Sequence, residues 1–238
     1  MSQAEKVFVD VGGHNGPSVA AALDYAFDRI VSLEPDPEMV LQLQKRFEAE
    51  IAAGKVQIVP FGLSDSCGSA QLYGDNTLGG SSIVSGKFQG HVSARTINLL
   101  DWPTLVARQD LSRADLWIKI NAEGAEVDII RSLISSGARP KGLVIYFDIV
   151  KAPFGAWKKW AAMSAMKRAG LDFTLAEQVL VKHGPRTRLH NWFSAFPELR
   201  NPAIASSPAP LSKIVRMHYL DLMSALGIRL TLFKSRRR

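Results

Sequence analysis

The chain has 238 residues, 47% of them apolar and 21% charged, which is the make-up of a folded domain with a core and excludes a disordered polymer. Cys67 is the single cysteine, so an internal disulfide and a cysteine metal cluster are both ruled out. No apolar run reaches bilayer length and the start MSQAEKVFVD lacks the layout of an export signal, so the chain reads as cytoplasmic. Part of the net charge of +7 sits in Arg236, Arg237 and Arg238, away from any stripe of interleaved aromatics, and no nucleic-acid partner is expected.

In chain order, Lys6 to Val11 is short, apolar and β-branched, as a buried parallel strand should be. A glycine loop follows, and Pro17 opens a helix with Val19, Leu23 and Phe27 at four-residue spacing. Arg29 to Leu33 is a second strand ending in Glu34-Pro35. Asp36 then caps a helix whose buried face is Val40, Leu43, Phe47 and Ile51. Val56 to Pro60 is a third strand, and this βαβαβ run implies a parallel sheet with right-handed crossovers. Residues 65–100 break into glycines, serines and short strand-like pieces such as Ala70 to Tyr73, an insertion suited to recognising an acceptor.

Regular pattern returns with a strand at Asp115 to Ile120, a helix over Val127 to Ile134 and a strand at Leu143 to Phe147. Trp157, Trp160, Ala161 and Ser164 set one face of a further helix, which Gly170 is placed to end. Phe173 to Val181 and Leu189 to Phe196 are expected to close the sheet as an antiparallel pair, bringing it to seven strands. One domain over 1–196 follows. Residues 197–238 form an extension: a linker, a helix capped by Ser212 with Ile214, Val215, Leu222, Met223 and Leu226 on one side, and a basic end. Packing back on the domain is the expected use of that helix, with contact to a membrane surface as the alternative. Oligomeric state is open.

The loop FVDVGGHNGPS joins a strand to a helix, exposing backbone N–H groups where oxygens of a ligand are favoured. The dinucleotide fingerprint needs glycine at position 11, which is Val11, and no Gly-Lys-Ser/Thr ends the loop. Glu34, at the end of the next strand, can accept two hydrogen bonds from a ribose diol. Asp10 would repel pyrophosphate but suits the ammonium of an amino acid. Ribose at one end and a zwitterion at the other describe S-adenosylmethionine. A nicotinamide-dependent oxidoreductase on a Rossmann sheet is the competing enzyme class, and a binding protein without turnover is the third reading.

The motifs DVGGHNG, SLEPDPE, FGLSDSCGSAQLY, GGSS and DLWIKINAEGAEVDII, in this order from about Val7 to Leu133, resemble those of FkbM-type S-adenosylmethionine-dependent methyltransferases. HNWF at His190 to Phe193 extends the match weakly. The resemblance implies the α/β Rossmann-like class I methyltransferase fold. It also implies methyl transfer to oxygen, on a sugar, a polysaccharide or glycolipid, or another secondary-metabolite hydroxyl. By position, Asp10, Gly12, Gly13, Asn15 and Gly16 would hold the methionine part, Glu34 the ribose, and Ser64 and Asp65 would lie at the adenine. Asn121 joins that cofactor set.

A sugar hydroxyl is a poor nucleophile, so a base or a metal ion must help it, and ligands of open α/β sheets sit at the carboxyl ends of the strands. The DLWIKI strand offers Lys119, Asn121, Glu123 and Glu126 there. The family usually has aspartate where this chain has Asn121, which keeps a carbonyl ligand but loses the charge and weakens a divalent-metal role. Glu123 is therefore the leading base, with His91 of the insertion as the other candidate. His14 is read as shaping the loop. For Glu123 and Glu126 the plain alternative is a favourable charge at the start of the next helix.

Overall fold

The computed structural model describes residues 4–74, 81–83, 93–151, 153–176 and 219–227. Its centre is a six-stranded sheet built from β1 (Lys6–Val11), β2 (Arg29–Leu33), β3 (Val56–Val59), β8 (Asp115–Ile120), β9 (Gly142–Ile145) and β10 (Thr174–Leu175), in the order β10-β9-β8-β1-β2-β3. Every neighbouring pair runs parallel. The sequence expectation is seven strands, and six are described in this sheet. The crossover through helix α6 (Gly155–Arg168) returns the chain so that β10, part of the expected closing pair, enters parallel to β9. The rest of that expected pair, with Ser212, Ile214 and Val215, lies outside the described residues.

Side chains alternate across the sheet and supply two cores. Val7, Val9 and Val11 face Ile118, Ile120, Leu105 and helix α5 (Glu126–Ser135), whereas Phe8 faces Ile30, Trp117, Val19 and Leu43. Helix α1 (Pro17–Ala22) is shorter than its apolar spacing suggests. Phe27 lies beyond it and packs its ring 5.4 Å from Phe8 and 5.7 Å from Trp117. The second helical stretch breaks at Phe47 into α2 (Pro37–Arg46) and α3 (Glu48–Ala52), and Asp36 caps α2 as its sequence position predicts, accepting the Glu38 N–H at 3.0 Å.

The insertion is a small second sheet in the order β4-β7-β5-β6, with β4 (Gly62–Leu63), β5 (Gly68–Gly74), β6 (Ser81–Ser82) and β7 (Ser93–Leu100). Arg95 of β7 ties it to the start of α2 by a 2.8 Å ion pair with Asp36. Helix α4 (Trp102–Arg108) follows β7.

Helix α6 turns over the expected face. Gly155, Ala156, Lys159, Ala162 and Met166 are buried, whereas Trp157 is 58% and Trp160 39% exposed. Small residues face inward because the approach is close: a Cβ on Gly155 would stand 1.8 Å from the Ile149 carbonyl oxygen. Gly170, at φ 68°, ends this stretch as predicted. Residues 219–225 are helical and pack on the start of α6, where Phe154 N–H donates to the Ser224 carbonyl at 2.7 Å and Ala156 N–H to the Ser224 hydroxyl at 3.0 Å.

Candidate active site

The strand order reverses between β1 and β8, and open α/β sheets bind ligands at that point, beyond the carboxyl ends of the strands. Two loops meet there: the glycine loop after β1 and residues 121–125 after β8. Their contact is close enough to require glycine, since a Cβ on Gly12 would stand 2.0 Å from the Asn121 carbonyl oxygen and Gly12 has φ 85°. Gly12→Ala is expected to lower stability by more than about 2 kcal/mol, through left-handed strain and displacement of Asn121, in a denaturant titration.

Register places a polar row under this loop. Asp10 lies opposite Ser32 on one side and Lys119 on the other, all on the Phe8 face. Asp10 is fully enclosed. Lys119 Nζ stands 2.8 Å from its Oδ1 and donates to the Gly12 carbonyl at 2.9 Å. Burial pushes the Asp10 carboxyl above the ordinary range, against the opposing pull of Lys119 and of the Ser32 hydroxyl. The ammonium beside Asp10 is thus the protein's own, and the pair joins both strands to the loop.

Glu34 stands at the other side of the loop, 7% exposed. One oxygen accepts the His14 N–H at 2.7 Å and the other the Asp36 N–H at 2.9 Å. Gly12 and Gly13 N–H both donate to the Leu33 carbonyl, at 3.1 and 2.9 Å, bringing the loop over the end of β2. Burial raises the Glu34 carboxyl, and the two N–H groups oppose that shift. Each oxygen keeps a second lone pair for another donor. Gly16, at φ 86°, lies so close to α2 that a Cβ would stand 2.4 Å from the Phe47 ring. Asn15 is exposed and its carbonyl accepts from Arg46 at 2.6 Å. Ser64 is buried with its N–H on the Leu100 carbonyl at 2.8 Å, and Asp65 stands 3.8 Å from Arg131 of α5, so these contacts tie the two residues to β7 and α5.

Across the switch point, the Asn121 N–H donates to the Val11 carbonyl at 3.0 Å, while its buried side-chain oxygen has no hydrogen-bond partner among the described residues. Such an orphaned acceptor is what a ligand donor satisfies. Glu123 follows at φ 49° in a half-buried position, and the Ser82 hydroxyl of the small sheet donates to its carbonyl. Glu126 is fully buried. Its oxygens take the Gly124 N–H at 2.8 Å and the Ile149 N–H at 3.3 Å, so it clamps the Glu123 loop to the turn after β9. Burial, then the negative charges of Asp148 and Glu123, push the Glu126 carboxyl up to about 7.

Asp148, whose charge acts on Glu126, and Ser32, beside Asp10, are residues that sequence reasoning passed over. Asp148 is the more telling. It is 2% exposed, and its signal was an acid directly following the apolar run LVIYF, the same position at a strand end that singled out Asn121. His91 lies outside the described residues. No group of three or more metal-binding side chains occurs among the described residues, and no helix among them is long and apolar enough to cross a membrane.

Parallel sheet, reversal between β1 and β8, and a glycine loop facing residues 121–125 across it define a doubly wound, Rossmann-like α/β fold with its candidate ligand site at the switch point. The model of the family described as "Methyltransferase FkbM domain" matches residues 10–170, more than half of the chain. The chain therefore belongs to the FkbM methyltransferase family. No curated protein and no solved structure matches it. Residues 219–227 lie beyond the matched domain.

Proposed function

We propose that the protein is an S-adenosylmethionine-dependent O-methyltransferase whose acceptor is a hydroxyl of a sugar, a polysaccharide or glycolipid, or a secondary metabolite. One observation carries the reading: the glycine loop is held between Glu34, through His14 N–H, and Asn121, whose side-chain oxygen is orphaned beside it. The residues fit that cofactor. Glu34 would take the ribose diol and Asn121 Oδ1 would accept from the methionine end, with the loop N–H groups toward its carboxylate. A dinucleotide fits less well, because Val11 stands where its fingerprint needs glycine.

S-adenosylmethionine, when bound, supplies a methyl group already activated on a sulfonium. The protein's task is then alignment of the acceptor and management of one proton. Glu123 accepts that proton at its carboxylate, being half-buried at the loop tip, while Glu126 behind it holds the loop and does not touch the acceptor. Asp10, neutralised by Lys119, positions the loop.

Radiolabelled methyl transfer to a panel of glycans tests the activity. Glu123→Gln is expected to lose about 100-fold or more in turnover with S-adenosylhomocysteine binding unchanged; near-normal turnover removes Glu123 as the base. Cofactor binding without transfer to any hydroxyl acceptor would favour the non-catalytic reading, for which Asn121 in place of aspartate is the supporting feature.

A further inference from the structure

Outside the site, α6 and the 219–225 helix share an apolar surface. Phe154 is 56%, Trp157 58%, Leu222 57% and Leu226 61% exposed, with Tyr219 and Trp160 beside them. Isolated exposed apolar side chains are ordinary, but a contiguous set marks a contact surface. These are contiguous: the Trp157 and Trp160 rings stand 5.0 Å apart, the Trp157 indole N–H donates to the Ala225 carbonyl at 3.0 Å, and Gly227 lies against the Phe154 ring.

The surface is also held rigid. Lys159, 5% exposed, pairs with Asp221 at 2.9 Å, so the inward faces of the two helices are fastened by charge and the apolar side chains are left outward. Trp157 keeps most of its ring in water while its only polar atom is satisfied within the protein, which suits a ring that enters an apolar phase.

Charge selects what that phase is. Lys158, Lys167 and Arg168 are exposed on α6, and no acidic residue occurs from Lys151 to Gly170. The sequence that follows Gly227, IRLTLFKSRRR, carries five basic residues and no acidic one. Tryptophan and aliphatic side chains flanked by Lys and Arg are the composition that binds at a lipid headgroup boundary and favours anionic lipids.

We propose that this face docks on the surface of an anionic lipid bilayer, lying in the interface without crossing it. The proposal does not depend on which acceptor is methylated. Docking would leave the carboxyl edge of the sheet close to the bilayer, because α6 begins against Ile149, whose N–H is held by Glu126.

Co-sedimentation of the full chain with vesicles tests it. Binding is expected to phosphatidylcholine vesicles containing about one third phosphatidylglycerol, weakening as salt is raised, with little binding to pure phosphatidylcholine. Leu222→Ser with Leu226→Ser removes two exposed aliphatic contacts and should weaken vesicle binding by about tenfold or more with an unchanged unfolding midpoint. Lys158→Glu with Arg168→Glu, both at exposed positions of α6, should do the same without touching the Lys159–Asp221 clamp. Equal binding to neutral and anionic vesicles, no binding to either, or variants that bind like the parent would overturn the proposal. So would a dimer in light scattering that the leucine variant dissolves while vesicles stay unbound.

Discussion

Lys119→Met is expected to destabilise the protein by about 3–5 kcal/mol, read as a lower urea midpoint with an unchanged slope. The size follows from what remains after the change. Asp10 is fully enclosed between β2 and β8, and removal of Lys119 strands its carboxylate without the one cation 2.8 Å away. The Gly12 carbonyl loses its 2.9 Å donor in the same step, so cofactor binding weakens along with the fold. Adding Asp10→Asn to Lys119→Met removes the stranded charge and should recover roughly half of the lost stability. Additive losses in the double variant would mean that the two side chains do not act as a pair.

Glu126 gives the second large effect, in the pH dependence of stability. Its folded carboxyl is pushed up to about 7, whereas in the unfolded chain it ionises near the ordinary glutamate value of 4.5. Below the lower value both states hold the proton and nothing is lost. Between the two the unfolded chain ionises while the folded chain keeps its proton, so stability falls as pH rises, by about 3 kcal/mol across the window. Above the upper value the contribution is flat. Burial of Asp10 and Glu34 acts in the same direction, so the informative quantity is the difference from Glu126→Gln. That variant lacks an acceptor for one of its two N–H partners and starts less stable at low pH. Its deficit should shrink steadily as pH rises toward neutrality, and a constant deficit would show that Glu126 ionises in the folded protein at the same pH as in the unfolded chain.

Much of the fold was legible because buried parallel strands read as continuous apolar runs: Lys6–Val11, Arg29–Leu33 and Asp115–Ile120 stand where their sequences put them. The cap at Asp36 and the glycine at the end of the α6 segment were legible too, since each needs one residue type at one place. Pairing between distant strands was not. Lys119 carries no mark that it is buried, and only the register of β8 against β1 brings it to Asp10. Which face of α6 turns inward was not legible for a related reason. Periodicity puts Trp157, Trp160, Ala161 and Ser164 on one face, but the inner face needs residues small enough for backbone approach, and Gly155, Ala156 and Ala162 supply them. Glu123 and Glu126 shared one plain alternative in sequence, a charge at the start of the next helix; the turn at Gly124 sends Glu126 inside and leaves Glu123 half-buried.

Titration calorimetry with S-adenosylhomocysteine and with NAD, on the parent and on Glu34→Ala, tests the central claim most directly. Glu34 is the arbiter because both its oxygens are already fixed by His14 and Asp36 N–H groups, so its loss affects the ribose contact and the loop together. Micromolar binding of S-adenosylhomocysteine, weakened about tenfold or more by Glu34→Ala, with no binding of NAD, is the predicted result. Binding of NAD with none of S-adenosylhomocysteine would contradict the methyl-donor site.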